Sequence, residues 1–368
     1  MHGAPEGQCI HVALARRPYS VHVGEKLLES SGVLTRQCFP KLRRIAILAD
    51  STVAKLYGKR LAEALRRADF APELLDFPAG ESSKSLSIAE DLCERMIRLG
   101  FDRSCAVAAL GGGVTGDLAG FVAAIYYRGV PFIQVPTTVV AQVDSAVGGK
   151  TGVNARSGKN LIGAFHQPSL VIADVSTLET LEPRDFNEGF AEIIKHAIIR
   201  DPALFDRLFD APRGQALTHV IATNVSIKAR IVEEDEFETS GVRALLNFGH
   251  TIGHGIEAAA GYGTYRHGEA VSLGMVAAAR LSQQQAGLDS RSVERIMELL
   301  RKYHLPTQLN PAVDRGEIMK ALLTDKKFAE GRPRFVLTRE IGSAFVSDEI
   351  TLKDIENAIN GLYGPESD

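Results

Sequence analysis

The first half of the chain alternates short apolar runs with amphipathic stretches, and that rhythm leaves few folds open. Residues 43–50, Arg-Arg-Ile-Ala-Ile-Leu-Ala-Asp, read as a buried strand ending in an acid. Residues 55–68, rich in Leu, Ala, Lys and Arg, read as helix. The pattern repeats: strand at 72–77, helix at 87–99, a short strand at 105–110 running into glycines, then strands at 130–136 and 170–174. Strands alternating with helices build a largely parallel α/β sheet. After about residue 180 the pattern turns helical, over 187–199, 216–234, 247–260, 269–285 and 292–303, with strands only at 334–337 and 343–346. The reading is an α/β domain over 1–176 followed by a mainly α-helical domain over 177–368.

Charge and apolar content narrow the function classes. The chain carries 42 Lys and Arg against 45 Asp and Glu, a net charge of −3, so it is no polyelectrolyte partner for nucleic acid. An anionic ligand must be held by a few placed cations. No apolar run approaches the ~20 residues of a membrane span. The opening MHGAPEGQCI has no secretory apolar core. Cys9, Cys38, Cys93 and Cys105 form no Cys-x-x-Cys pair and read as reduced thiols of a cytoplasmic protein.

The strand at 105–110 runs into Gly111-Gly112-Gly113-Val114-Thr115-Gly116-Asp117. Glycines here let backbone amides approach a pyrophosphate at a helix N-terminus. They serve equally as a close-packed strand–helix turn. The motif does not follow the first strand, and no acid lies about 20 residues on to take a ribose. Asp50, ending the first clear strand, offers that carboxylate, or else a helix N-cap.

His250 and His254 stand at i and i+4, one face of a helix, and His267 follows thirteen residues later. With Glu192 on another predicted helix, the set suits a metal that keeps open positions for substrate. Spacing by itself selects His250 and His254 as joint ligands. Cations recur beside Gly, Asn or acids at Arg128, Lys150, Lys159, Lys195, Lys228 and Arg243. Together with a metal they point to a substrate carrying phosphate and carboxylate. The acidic run 233–238 reads as a solvated helix end or loop.

Several blocks, in order across most of the chain, carry a resemblance: Pro78–Lys84, Gly111–Asp117, Val135–Lys150, Lys159-Asn160 and Leu246–His254. They resemble 3-dehydroquinate synthases, within the sugar phosphate cyclases. The resemblance implies a Rossmann-like NAD-binding domain, a metal-binding helical domain, NAD and Zn2+ (or Co2+) as cofactors, and a homodimer. It implies a carbon–oxygen lyase of the shikimate route to aromatic amino acids. Its substrate is 3-deoxy-D-arabino-heptulosonate 7-phosphate and its products 3-dehydroquinate and phosphate. Transient NAD oxidation, phosphate elimination, re-reduction and an intramolecular aldol closure make up the reaction.

The same resemblance assigns Glu192, His250 and His267 to the metal, overriding the spacing choice and leaving His254 as an acid–base or supporting group. It assigns Asp50, Glu81, Lys84, Gly113, Val114, Asp117, Thr137, Thr138, Lys159, Thr177 and Thr180 to NAD. Substrate contacts are Asp144, Lys150, Asn160, Lys195, Lys228, Arg243, Asn247 and His254, with Arg243 and Asn247 on the carboxylate. Arg128 reaches the phosphate of the neighbouring subunit, and Lys326 is the choice over Lys327 for another phosphate contact. The run before Arg243 is one residue longer than the family's common form, which makes Glu238 the nearest match to a Glu found there. Rival expectations are another cyclase, such as an amino-dehydroquinate synthase, and a metal-dependent polyol dehydrogenase; the cation set disfavours the second.

Overall fold

The computed structural model describes residues 7–261, 263–324 and 334–364. By internal contacts the chain divides into two units, Met1–Glu182 with Arg213–Phe237, and Pro183–Pro212 with Glu238–Asp368.

The first unit is built on a seven-stranded sheet. Its strands are β1 (Gly7–Val12), β2 (Tyr19–Gly24), β3 (Arg44–Asp50), β4 (Ala71–Phe77), β5 (Ala106–Gly111), β6 (Phe132–Pro136) and β9 (Leu170–Asp174). Their order is β1-β2-β9-β6-β5-β3-β4, and only the β1–β2 pair is antiparallel. β3, β5, β6 and β9 read as continuous apolar runs because both faces of the sheet are covered there. In β3, Ala46 and Leu48 enter one core, with Leu92 and Met96 of α4 (Leu86–Arg98) and Leu118 and Val122 of α5 (Gly113–Ile125). Ile45, Ile47 and Ala49 enter the other, with α1 (Leu27–Cys38) and α3 (Lys59–Arg67). The helix expected over 55–68 is interrupted: α2 (Ser51–Val53) passes through a π turn, Ala54–Gly58, into α3.

The stretch following Gly148 and Gly149 is a hairpin. Strands β7 (Lys150–Ala155) and β8 (Gly158–Phe165) pair antiparallel with Gly152 opposite Gly163. A Cβ on Gly163 would lie 2.3 Å from the Thr151 carbonyl, so the close backbone approach needs glycine.

In the second unit, α6 (Pro183–Arg200) and α7 (Pro202–Leu208) join α9 (His250–Ala259), α10 (His267–Ala286), α11 (Ser290–Lys302), α12 (Arg315–Thr324), α13 (Leu352–Asn360) and the small hairpin β10 (Phe335–Thr338)–β11 (Ala344–Ser347). The single cut at 176 differs from this division in two places: residues 177–182 stay with the first unit, and so does the segment carrying one later helix. α8 (Gln215–Glu234) lies in the second half of the sequence but belongs to the first unit, packing on β1 and β2. It buries Val220, Ile221, Val225, Ile231 and Val232, and its Glu233 accepts a 2.6 Å bond from the Ala13 amide. The helix between 247 and 260 is also shorter than expected. A 3-10 turn, Val242–Asn247, precedes it, and Gly249 at φ +79° starts α9 at His250.

Candidate active site

Strand order in the sheet reverses between the parallel β3 and β5: β3 leads outward to β4, while β5 leads to β6 on the other side. Parallel sheets bind ligands outside the carboxyl ends of strands at such a point. Asp50 ends β3 there, and the Gly111–Gly113 turn ends β5. Asp50 serves as an N-cap, its Oδ1 accepting from the Thr52 and Val53 amides at 2.9 and 3.0 Å. Its Oδ2 receives a long 3.4 Å contact from the Thr115 hydroxyl in the first turn of α5. The cap residue of α5, Gly112, offers no side-chain acceptor to that turn, and a Cβ there would come within 3.1 Å of Thr138. Gly113 and Val114 open the helix. A helix N-terminus, a glycine approach and a strand-end carboxylate together form a cradle that fits a dinucleotide.

The other expected nucleotide residues fall into two groups. Lys84, 5% exposed, donates to Asp117 at 2.5 Å and to Asn160. Burial raises the Asp117 carboxyl above its ordinary value, against the pull of Lys84. Glu81 accepts from Asn154 at 2.8 Å. Thr137 and Thr138 follow β6, with the Thr137 amide on the Gly111 carbonyl at 3.0 Å and the Thr138 hydroxyl accepting from Ala141. Thr177 donates to Asp174 O at 2.7 Å, and Thr180 shares a 2.7 Å bond with Tyr57. Gln142, not singled out from sequence, ties Pro136 O and Asp174 O together beneath these threonines. Lys159 lies on β8, part-buried beside the exposed Asn160.

Also in this unit, Asp144 sits in the turn Ala141–Ser145 and accepts a 2.7 Å bond from Lys228 of α8. Lys150 starts β7 with an exposed side chain. Tyr127 and Arg128, at φ +48° and +66°, hold a left-handed corner ahead of Gly129.

In the second unit Glu192 is fully buried on α6, with Oε2 taken by the Lys195 ammonium one turn on. Its Oε1 is buried without a hydrogen bond and faces Nε2 of His250 at 3.3 Å and Nε2 of His267 at 3.5 Å. One donor atom from each of these three residues lies within 4.8 Å of the others. An orphaned carboxylate oxygen opposite two imidazole nitrogens fits a divalent cation. Burial would lower the His267 imidazole, but Glu192 and Glu257 overcome it and raise it to about 10. Glu192 is held well below its ordinary value, since Lys195 and the two histidines outweigh its burial.

Glycines bring the ligands together. His250 starts α9 and His267 starts α10, and these helices meet at small residues. A Cβ on Gly274 would lie 1.9 Å from the Gly249 carbonyl, immediately before His250. His254, exposed, stands with its ring centroid 5.3 Å from that of His250 and 5.8 Å from that of His267.

The two imidazoles are also held from behind. His250 Nδ1 faces the Phe248 carbonyl at 3.4 Å, and His267 Nδ1 faces Glu257 at 3.7 Å. In the neutral rings both arrangements favour the proton on Nδ1, which would leave the Nε2 lone pairs for a metal. Glu257 was not singled out from sequence, although it continues the His250, His254 stripe at i+7. Glu257→Ala should weaken metal binding ~10–100-fold and Glu257→Gln, which keeps an acceptor, by less; competition with a chromophoric chelator measures the order.

Arg243, 3% exposed in the 3-10 turn, has Nε 3.6 Å from Glu238, and Asn247 ends the same turn. Lys326 and Lys327 lie outside the described residues.

The chain is similar to known proteins over most of its length. A family model described as 3-dehydroquinate synthase N-terminal matches residues 74–188, and one described as 3-dehydroquinate synthase C-terminal matches 189–328. A 3-dehydroquinate synthase of Acidithiobacillus ferrooxidans is 46% identical over 347 residues, covering 92% of this chain and 94% of that one. A solved 2-deoxy-scyllo-inosose synthase, complexed with carbaglucose-6-phosphate, NAD+ and Co2+, superposes with a TM-score of 0.87 at 29% identity, covering 96% of this chain and all of its own. A 2-epi-5-epi-valiolone synthase from Streptomyces hygroscopicus, with NAD+ and Zn2+ bound, gives 0.85 at 31% over 95% of this chain and 98% of its own. Matched in both halves by its family models, and with a parallel-sheet unit ahead of helices carrying a Glu–His–His cluster, the chain belongs to the 3-dehydroquinate synthase family.

Proposed function

We propose that this protein converts 3-deoxy-D-arabino-heptulosonate 7-phosphate to 3-dehydroquinate and phosphate as an NAD- and zinc-dependent lyase, cobalt being the alternative metal. The observation that carries the reading is the orphaned Glu192 Oε1 facing two histidine nitrogens, in a chain 46% identical to a synthase of that name. Bound NAD supplies a hydride acceptor that also returns the hydride, and the bound metal supplies a Lewis acid for the substrate hydroxyls.

The protein's own residues hold and orient. Glu192, His250 and His267 are the metal donors. Asp50, Glu81, Lys84, Gly113, Val114, Asp117, Thr137, Thr138, Lys159, Thr177 and Thr180 bind the nucleotide. Arg128, Lys150, Lys195, Lys228 and Lys326 are the cations for the anionic substrate, which would help phosphate leave as a dianion. Asp144, Asn160 and His254 orient hydroxyls, and His254 is placed to move a proton beside the metal. The departing phosphate itself can accept the C6 proton, so no dedicated base is required. Arg243 and Asn247 take the carboxylate, the group a cyclase acting on a plain sugar phosphate has no use for. The enzyme works as a cytoplasmic homodimer in which Arg128 reaches the neighbouring subunit's substrate. Arg128 stands in a left-handed corner, and among the described residues no helix is long and apolar enough to cross a membrane.

Phosphate release from the heptulosonate phosphate, with NAD and zinc supplied, tests the activity. No release, alongside turnover of sedoheptulose 7-phosphate or glucose 6-phosphate, overturns it in favour of another cyclase. Arg243→Ala should lower kcat/KM by ~10²-fold or more, as expected for removing one partner of a buried charge pair. An unchanged value removes the basis for a carboxylate-bearing substrate.

A further inference from the structure

We propose that Asn154 is a positioning residue that couples nucleotide binding at Glu81 and Lys84 to substrate binding at Asn160. The proposal rests on the roles assigned above to those three residues.

Asn154 sits where the register of the β7–β8 hairpin slips, between Val153 and Ala155. At this bulge Asn154 meets the segment 81–85, forming a parallel bridge with Ser85. Three bonds then converge on one side chain and its backbone. The Asn154 amide N–H donates to Lys84 O at 2.8 Å. Its Nδ2 donates to Glu81 Oε1 at 2.8 Å, and its Oδ1 accepts from the Asn160 amide at 2.9 Å. The ring closes through Lys84, whose ammonium donates to Asn160 Oδ1.

The amide orientation follows from its partners. A carboxylate only accepts and a backbone N–H only donates, so Nδ2 must face Glu81 and Oδ1 must face Asn160. No other side chain of that length offers one donor and one acceptor on a single planar group. Asp lacks the donor and would set two carboxylates against each other; Ala lacks both. The bond to Asn160 also supports that residue at φ +57°, a left-handed conformation that sets where its side chain points.

Glu81 and Lys84 therefore cannot shift without moving the support of Asn160. A nucleotide that fixes the first pair presents the substrate with an ordered Asn160, and substrate at Asn160 fixes the pair in return. Such coupling is reciprocal by linkage.

The test is calorimetric titration of the zinc-loaded full-length protein with NAD, alone and with a saturating non-reactive phosphonate analogue of the heptulosonate phosphate. In the wild type the analogue should tighten NAD by ~10-fold, within the ordinary range of such couplings. In Asn154→Ala and Asn154→Asp the ratio should fall to within ~2-fold of one. Asn154→Asp keeps the acceptor for Asn160 and so retains the hairpin if Asn154→Ala does not fold; it then decides alone. A variant ratio equal to the wild-type ratio overturns the proposal, as does a wild-type ratio of one with normal NAD affinity. No NAD binding by the wild type is a different result: it removes the functional reading, and the proposal with it.

Discussion

Glu192→Gln is expected to abolish stable metal binding and bring phosphate release to background, while NAD binding by the first unit persists. Each Glu192 oxygen has its own task. Oε1 faces the two histidines, and Oε2 neutralises Lys195, a side chain only 1% exposed. Gln is nearly isosteric but removes the charge from both. The loss in metal affinity should exceed the ~10–100-fold typical of outer supporting residues. Discharging or stranding the buried ammonium should also cost ~3 kcal/mol or more of stability. Metal content after gel filtration, denaturant unfolding and phosphate release check the three effects. A variant retaining one metal per chain would exclude Glu192 as a ligand. Chelation of the wild type provides the control: it should reproduce the loss of activity but not the Lys195 penalty, and added zinc should restore turnover.

Gly274→Ala is expected to damage the same centre without touching a donor atom. The added methyl would stand 1.9 Å from the Gly249 carbonyl, a distance real Cβ atoms do not reach, and the obstacle is backbone. α9 must move away from α10, and His250, the first residue of α9, moves with it. Overpacking ordinarily costs ~1–3 kcal/mol, and a clash with main chain belongs at or above the top of that range. Lower thermal stability and weaker metal binding should therefore appear together. Wild-type metal affinity in this variant would mean that the His250–His267 spacing does not depend on the α9–α10 contact.

β3, β5, β6 and β9 were legible because both faces of the sheet are buried there, which writes them as unbroken apolar runs; β2, though parallel to β9, was not. β1 was not, since its residues are mostly exposed and carry no such run. The hairpin β7–β8 hid for a different reason. Its glycines mimic a loop, and only the partner strand explains why Gly152 and Gly163 must lack a Cβ. With the hairpin unseen, Asn154 had no visible role.

By itself the sequence determined the family, the alternation of the central strands and helices, the helical second half, and the residue types the chemistry needs, because those are local patterns and dense motifs. Tertiary structure decided which of them meet. α8 reads as a helix of the second half, yet its apolar surface covers β1 and β2, and chain order carries no record of that. His250 and His254 share a helix face, so spacing pairs them. The donor atoms that converge with Glu192 are those of His250 and His267, brought close by α9 and α10 meeting at glycines. Periodicity measures distance along one helix, whereas a metal centre is fixed by distance across several.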